Sequence, residues 1–197
     1  MSIKSTILKI LSWRKNTGDI NPENLQKILV VRLDKIGDTL CLLPMIRELK
    51  NAYPEATIDV YAGIHNYFMF KHTTYVNHVY IKYRKRNPVK SLFEIWRMRT
   101  NHYDLIIDTM EIKFQKVLSL IAIKPTWLIG SEGFVSRYGL KNTDIKLYNH
   151  YIPFKAEHMT DYLLSYLQPL GIRYKNIAME FPIGNESYTY AKSFLKP

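Results

Sequence analysis

Gly37 and Asp38 are the pair in this chain whose types and placement could do chemistry. They follow a short apolar run, Lys27 to Arg32, rich in β-branched residues, as expected of a strand covered on both faces. They precede Leu40, Leu43, Ile46 and Leu49, which recur at helical spacing. The expected order is strand, tight loop, helix, with Asp38 at the carboxyl end of the strand and the start of the helix. Ligands of open α/β sheets bind outside such strand ends. An acidic group there either caps the helix by accepting from first-turn amides or acts as a catalytic group. Residue types alone leave the two readings level. Gly37 lets the backbone turn tightly and approach a ligand closely, and Lys35 beside it could meet a phosphate.

These residues need a scaffold, and the chain reads as one. After Lys27–Arg32, strands are expected at Thr57–Ala62, Val79–Tyr83, Asp104–Asp108 and Thr126–Ile129. Between them, residues 66–71, 89–99 and 112–122 read as helices, with Leu92, Phe93, Ile95 and Trp96 forming the apolar side of the second. Alternating strands and helices of this length argue for a parallel sheet with right-handed crossovers. Residues 131–154 show no clear period. Lys155 to Gly171 reads as a helix with Met159, Tyr162, Leu163, Tyr166 and Leu167 on one side, His158 near its start and Gly171 as its terminator. Ser187–Leu195 reads as one more helix.

Residues 1–26 form an extension and linker. Ile3, Ile7, Ile10 and Leu11 share a helical face among Lys4, Lys9, Arg14 and Lys15, with Trp13 near the end. That pattern suits either a membrane interface or packing on the domain. Residues 16–26 are polar, with Gly and Pro.

Composition narrows the classes. An apolar fraction of 47% and an aromatic fraction of 13% exclude a disordered chain. A net charge of +11 implies acidic partners: nucleic acid, an anionic membrane or a phosphorylated substrate. Cys41 is the only cysteine, so no intrachain disulfide can form, and it reads as a small core residue. No run is apolar and long enough to span a bilayer, and the N-terminus lacks the pattern of a signal peptide. A cytoplasmic protein is expected, peripheral at the inner face of a membrane if the first helix binds there.

Other chemistries lack their signatures. The histidines show no metal-ligand pairing, and no cysteines support them. Gly-x-Gly-x-x-Gly, a Walker loop and a nucleophile elbow are all absent from the sequence, which disfavours dehydrogenase, NTPase and hydrolase readings. The tyrosines come without an RNA-binding motif, so nucleic acid is disfavoured. The cluster Lys82-Tyr83-Arg84-Lys85-Arg86 after a strand end reads as a solvated loop, an anionic-lipid contact or a site for an acidic acceptor.

The stretch Ile28-Leu29-Val30-Val31-Arg32-Leu33-Asp34-Lys35-Ile36-Gly37-Asp38, followed by Leu42-Leu43-Pro44, resembles the opening of the family 9 glycosyltransferases, the heptosyltransferases of lipopolysaccharide core assembly and their relatives. Later features follow in the family's order: Asp104-Leu105-Ile106-Ile107-Asp108 resembles its "YDLVID" strand, Ile129-Gly130 the strand after the next helix, and His158, Tyr162-Leu163 and Leu170-Gly171-Ile172 its "H…YL…LGI" helix. The resemblance spans residues 27–195. It implies an α/β, Rossmann-like parallel sheet flanked by helices, the N-terminal, acceptor-side half of a GT-B glycosyltransferase. It also implies inverting, metal-independent transfer of a heptose-like sugar from a nucleotide-sugar such as ADP-heptose to an acidic glycolipid acceptor, with no other cofactor. By the same resemblance Asp38 is the catalytic base. Asp34, Lys35, Ile36 and Gly37 line the cleft, and Lys113 and Arg137 lie near acceptor contacts. Domain boundaries are expected at 27–185 for the acceptor-side domain and 186–197 for the start of an interdomain segment, with the donor domain not included and turnover by this length alone not expected. Two other readings stay open: a non-catalytic module binding membrane or glycolipid, and a basic nucleic-acid-binding domain.

Overall fold

The computed structural model describes residues 19–33, 35–83, 87–110, 114–132, 147–155, 158–174, 177–180 and 183–195. Its centre is a six-stranded sheet made of β1 (Lys27–Arg32), β2 (Thr57–Gly63), β3 (His78–Lys82), β4 (Leu105–Asp108), β5 (Trp127–Ser131) and β6 (His150–Ile152). Every described pairing is parallel, and the strand order is β3-β2-β1-β4-β5-β6. The first five strands lie within a residue or two of their sequence-read positions. β6 falls in the stretch without a clear period: three residues at a sheet edge are too few to show alternation.

Alternation along the strands divides the core into two layers. Ile28, Val30, Ile58, Val60, Ala62, Leu105, Ile107, Ile129 and Ile152 point to one face. That face is covered by α2 (Leu43–Ala52) and by α5 (Met159–Leu164) with the 3-10 turn Ser165–Leu170 that continues it. Leu29, Val31, Tyr61, Tyr80, Ile106 and Leu128 point to the other face, beneath α3 (Pro88–Thr100) and α4 (Phe114–Ile123). A sheet covered on both sides needs apolar residues at nearly every strand position, which is why β1 and β4 read as continuous apolar runs.

Three local readings are corrected. Gly37 and Asp38 do not form a loop before a helix; they lie inside a short helix, α1 (Ile36–Leu40), which is followed at once by α2. Pro44 near the start of α2 suits a new helix, since an amide there has no intrahelical acceptor. The helix expected over 155–171 begins at Met159 and tightens to 3-10 from Ser165, because Pro169 cannot donate its i→i−4 bond. Gly171 ends it in the left-handed region, φ +69°. The apolar side expected for α3 is not its buried side: Leu92, Phe93 and Trp96 are exposed, and Met98 is the residue buried against the sheet.

The chain after Gly171 returns to α2. The buried Arg47 donates to the Ala178 carbonyl at 3.0 Å and pairs with Glu180 at 2.8 Å. A shallow cavity of about 200 Å³ forms there, lined by Arg47, His72, Thr73, Thr74, Tyr75 and Glu180. A last helix, α6 (Asn185–Phe194), follows.

Candidate functional site

The strand order reverses between β1 and β4, whose neighbours β2 and β5 lie on opposite sides. In an open parallel sheet, a crevice forms at such a switch point beyond the carboxyl strand ends. The ends here are Arg32 on β1 and Asp108 on β4. Asp38 stands above them in the first turn of α1, with its side chain 38% exposed.

Arg32 ties the crevice together. Its guanidinium is buried and donates to the Thr109 carbonyl at 2.9 Å, and Nη2 lies 3.6 Å from Asp38 Oδ1. The Thr109 hydroxyl donates back to the Val31 carbonyl at 2.9 Å. The cation therefore leans on β4 and faces the carboxylate of α1. Asp38 is not a helix cap: Lys35 holds that position, and Asp38 lies three residues further on. The capping reading falls away, and a partly exposed carboxylate beside a buried cation is left at the ligand end of the sheet.

Backbone geometry around α1 is held from β2. The Asn66 amide donates to the Arg32 carbonyl at 3.1 Å and to Thr39 Oγ1 at 2.7 Å, and the Thr39 hydroxyl donates to the Lys35 carbonyl at 3.1 Å. Gly63 permits this closeness: a Cβ there would stand 2.6 Å from the Leu33 carbonyl oxygen. Gly37 has a different role from the one expected. It has no positive φ, and a Cβ on it would meet nothing within 4 Å, so it leaves open space beside Asp38. Lys35 and Ile36 are exposed at the same place, with Ile36 at 46%. Lys35 to Asp38 thus come together. Asp34, Lys113, Arg137, residues 84–86 and the helix expected at residues 3–15 lie outside the described residues.

Beneath the crevice sits a buried polar cluster. The Lys116 ammonium donates to Asp108 Oδ2 at 2.5 Å and to the Met110 carbonyl at 2.9 Å, and the Tyr148 hydroxyl donates to the same carboxylate at 2.6 Å. Asp108 and Lys116 have no exposed side-chain surface. Burial first, and then the Asp108 charge, push the Tyr148 phenol well above its usual range, so it stays a donor. Gly130 makes room for the Tyr148 ring, which a Cβ there would overlap. Asn66, Thr109 and Lys116 escape sequence reading because nothing in their local pattern marks them as buried. Arg32 could have been found: a cation closing an otherwise apolar strand is out of place in a two-sided core unless it is paired.

No family model matches the sequence. Over 143 residues the chain is 27% identical to lipopolysaccharide heptosyltransferase 3 of Escherichia coli (strain K12), covering 69% of this chain and 40% of that protein. The glycosyl transferase family 9 structure from Veillonella parvula matches over 90% of this chain with a TM-score of 0.71, at 18% identity and 50% of its own length. This is the fold of the family 9 glycosyltransferases. E. coli heptosyltransferase WaaC, solved with ADP, shares it with a TM-score of 0.65 and 17% identity over 83% of this chain and 53% of its own; a second WaaC structure carries ADP-2-deoxy-2-fluoro heptose. The resemblance to family 9 read from the opening motif therefore holds in sequence and in fold, over part of those proteins' length. The chain spans about half of these relatives, or less.

Among the described residues no group of His, Cys, Asp or Glu could hold a metal ion, and no helix is long and apolar enough to cross a membrane.

Proposed function

We propose that this chain is the acceptor-side half of an inverting glycosyltransferase, and that Asp38 is its general base. The observation that carries the reading is the Asp38 carboxylate itself: partly exposed, above the switch point, and faced by the buried Arg32 guanidinium at 3.6 Å. A hydroxyl of the acceptor gives its proton to Asp38 as its oxygen attacks the anomeric carbon of the donor sugar. A new C–O bond forms on the face opposite the leaving nucleotide diphosphate, which departs with the bonding electrons, so the configuration inverts. Arg32 keeps the carboxylate aimed. Lys35 and Ile36 line the acceptor's approach, the open space at Gly37 lets the acceptor come close to the backbone, and the family resemblance gives Asp34 the same role.

The donor is a nucleotide-sugar, ADP-heptose or a close analogue, and no other cofactor takes part. WaaC has been solved with ADP and with a fluorinated ADP-heptose, and this supports the donor class. The nucleotide would be gripped by the half of such proteins that this chain does not match. The acceptor is an acidic glycolipid of the lipopolysaccharide-core type, met at the cytoplasmic face of the inner membrane; a net charge of +11 supports an acidic partner.

The test offers ADP-heptose and an extracted lipopolysaccharide core to the chain and to Asp38→Ala. Acceptor binding should be retained by both proteins, and any transfer should fall about 10²–10⁴-fold in Asp38→Ala. Undiminished transfer by Asp38→Ala, or failure of either protein to bind the acceptor, would overturn the proposal.

A further inference from the structure

The outward face of α3 is apolar, where a surface helix ordinarily turns polar groups to water. Val89, Leu92, Phe93 and Trp96 are 77%, 65%, 56% and 58% exposed. Their spacing, i, i+3, i+4 and i+7, makes one continuous stripe. The sheet side of the helix is already occupied by Met98, with Ile95 packed partly against the same core. The stripe is therefore a second apolar face. Phe93 and Trp96 stack with centroids 5.9 Å apart and planes at 26°, presenting a joined aromatic surface.

Cations border the stripe. Lys90 and Arg97 flank one edge, and Arg99 flanks the other, at about 100° of helical rotation per residue. The Arg97 guanidinium lies 5.9 Å over the Phe93 ring, and Arg99 is steadied by the Ala122 carbonyl at 2.8 Å. The sheet is parallel and α3 follows β3, so Val89 and Leu92, in the first turns of α3, lie at the carboxyl end of the sheet, as Asp38 does.

We propose that this stripe docks the protein on an anionic lipid bilayer, with Val89, Leu92, Phe93 and Trp96 entering the headgroup–acyl boundary and Lys90, Arg97 and Arg99 meeting anionic headgroups. Aromatic and aliphatic residues framed by Lys and Arg are the composition that lies in such a boundary. A second copy of the chain fits worse: pairing the stripes would bring like charges together, and stable dimers bury about 800 Å² and 20–30 residues per partner, against four here. Nucleic acid would call for cations at the centre of the surface, not at its edges. The inference deepens the transferase reading, and rests on it only for the lipid anchor of the acceptor: a bilayer at α3 presents its headgroups at the Asp38 end of the sheet.

The experiment sediments the full 197-residue chain with vesicles of phosphatidylethanolamine and phosphatidylglycerol, and with phosphatidylcholine vesicles as control. Binding should favour the anionic vesicles. Leu92→Ser/Trp96→Ser should weaken it about tenfold or more with an unchanged circular dichroism spectrum, since both side chains are exposed. In a chain lacking residues 1–15, the two substitutions should still cause the same loss, which separates α3 from the N-terminal segment. Equal binding by the double variant and the parent, or equal binding to both vesicle types, would overturn the proposal. Asp38→Ala should bind vesicles as the parent does, so a failed transferase reading and a failed docking surface give different results.

Discussion

Gly63 shows how closely the candidate base depends on a residue that touches no substrate. A Cβ on Gly63 would stand 2.6 Å from the Leu33 carbonyl oxygen and 3.1 Å from the Asn66 side-chain oxygen. The first is backbone, and the Asn66 side chain is pinned by its amide's bonds to the Arg32 carbonyl and Thr39 Oγ1, so neither can move cheaply. Gly63→Ala should therefore push Leu33 and the start of α1 away from β2, at a cost of about 1–3 kcal/mol in urea unfolding. Resonances of Lys35 to Thr39 should shift with it. An unchanged midpoint would mean that the crevice backbone is softer than its contacts imply. Asp38 itself has a simpler dependence: its orientation comes from a cation that is held by β4, a different element from its own helix.

At the scale of elements, β4 and α4 are joined by a buried ion pair. Lys116 and Asp108 have left water entirely, and the carboxylate also accepts from Tyr148. Removing one partner strands the other charge, which is the costly way to break such a pair. Lys116→Met should lose about 3–5 kcal/mol of stability by denaturant titration, and Lys116→Met/Asp108→Leu should lose less than the single variant. A single variant as stable as the parent would show that the pair adds nothing to the stability of the fold. The same elements show what sequence can and cannot convey. β1 and β4 were legible because two-sided burial writes itself as an unbroken apolar run. α3 was legible as a helix but with the wrong side inward, because periodicity reports where apolar residues are and not which surface meets the sheet. The pairing of Lys116 with Asp108 needs two elements brought together, and no local pattern records that.

Over the whole molecule, fold class and the place of Asp38 followed from the order of elements, whereas its neighbours came only with the structure. The matching stretch of the relatives is long enough to carry the fold and too divergent to carry each side chain. One buried acid should leave its mark on global stability. Asp59 on β2 is 2% exposed and accepts from the Tyr103 hydroxyl at 2.5 Å. Burial raises its pKa, and the Tyr103 bond offsets this only in part. A raised folded-state value means that the protonated form stabilises the fold; this contribution is full below the ordinary aspartate range and is lost as pH rises through the folded-state value. Asp59→Asn should then unfold at a higher temperature than the parent near neutral pH, with the gap narrowing as pH falls through the raised folded-state value and closed by about pH 4. A gap that is constant across that range would assign the effect to packing.

The central position of β1 also governs how the chain acquires its shape at the ribosome. β1 pairs with β2 on one side soon after both are made, yet its other edge pairs with β4, about 75 residues after β1 ends. At synthesis rates of 5–20 residues per second, that edge waits roughly 4–15 s for its partner. Through that interval an apolar strand displays unpaired amides and carbonyls, the state in which strands recruit the wrong neighbour. Contacts of such long sequence separation also slow folding. The nascent chain therefore has a defined window in which a holding chaperone matters most, opening when β1 leaves the exit tunnel and closing when Asp108 does.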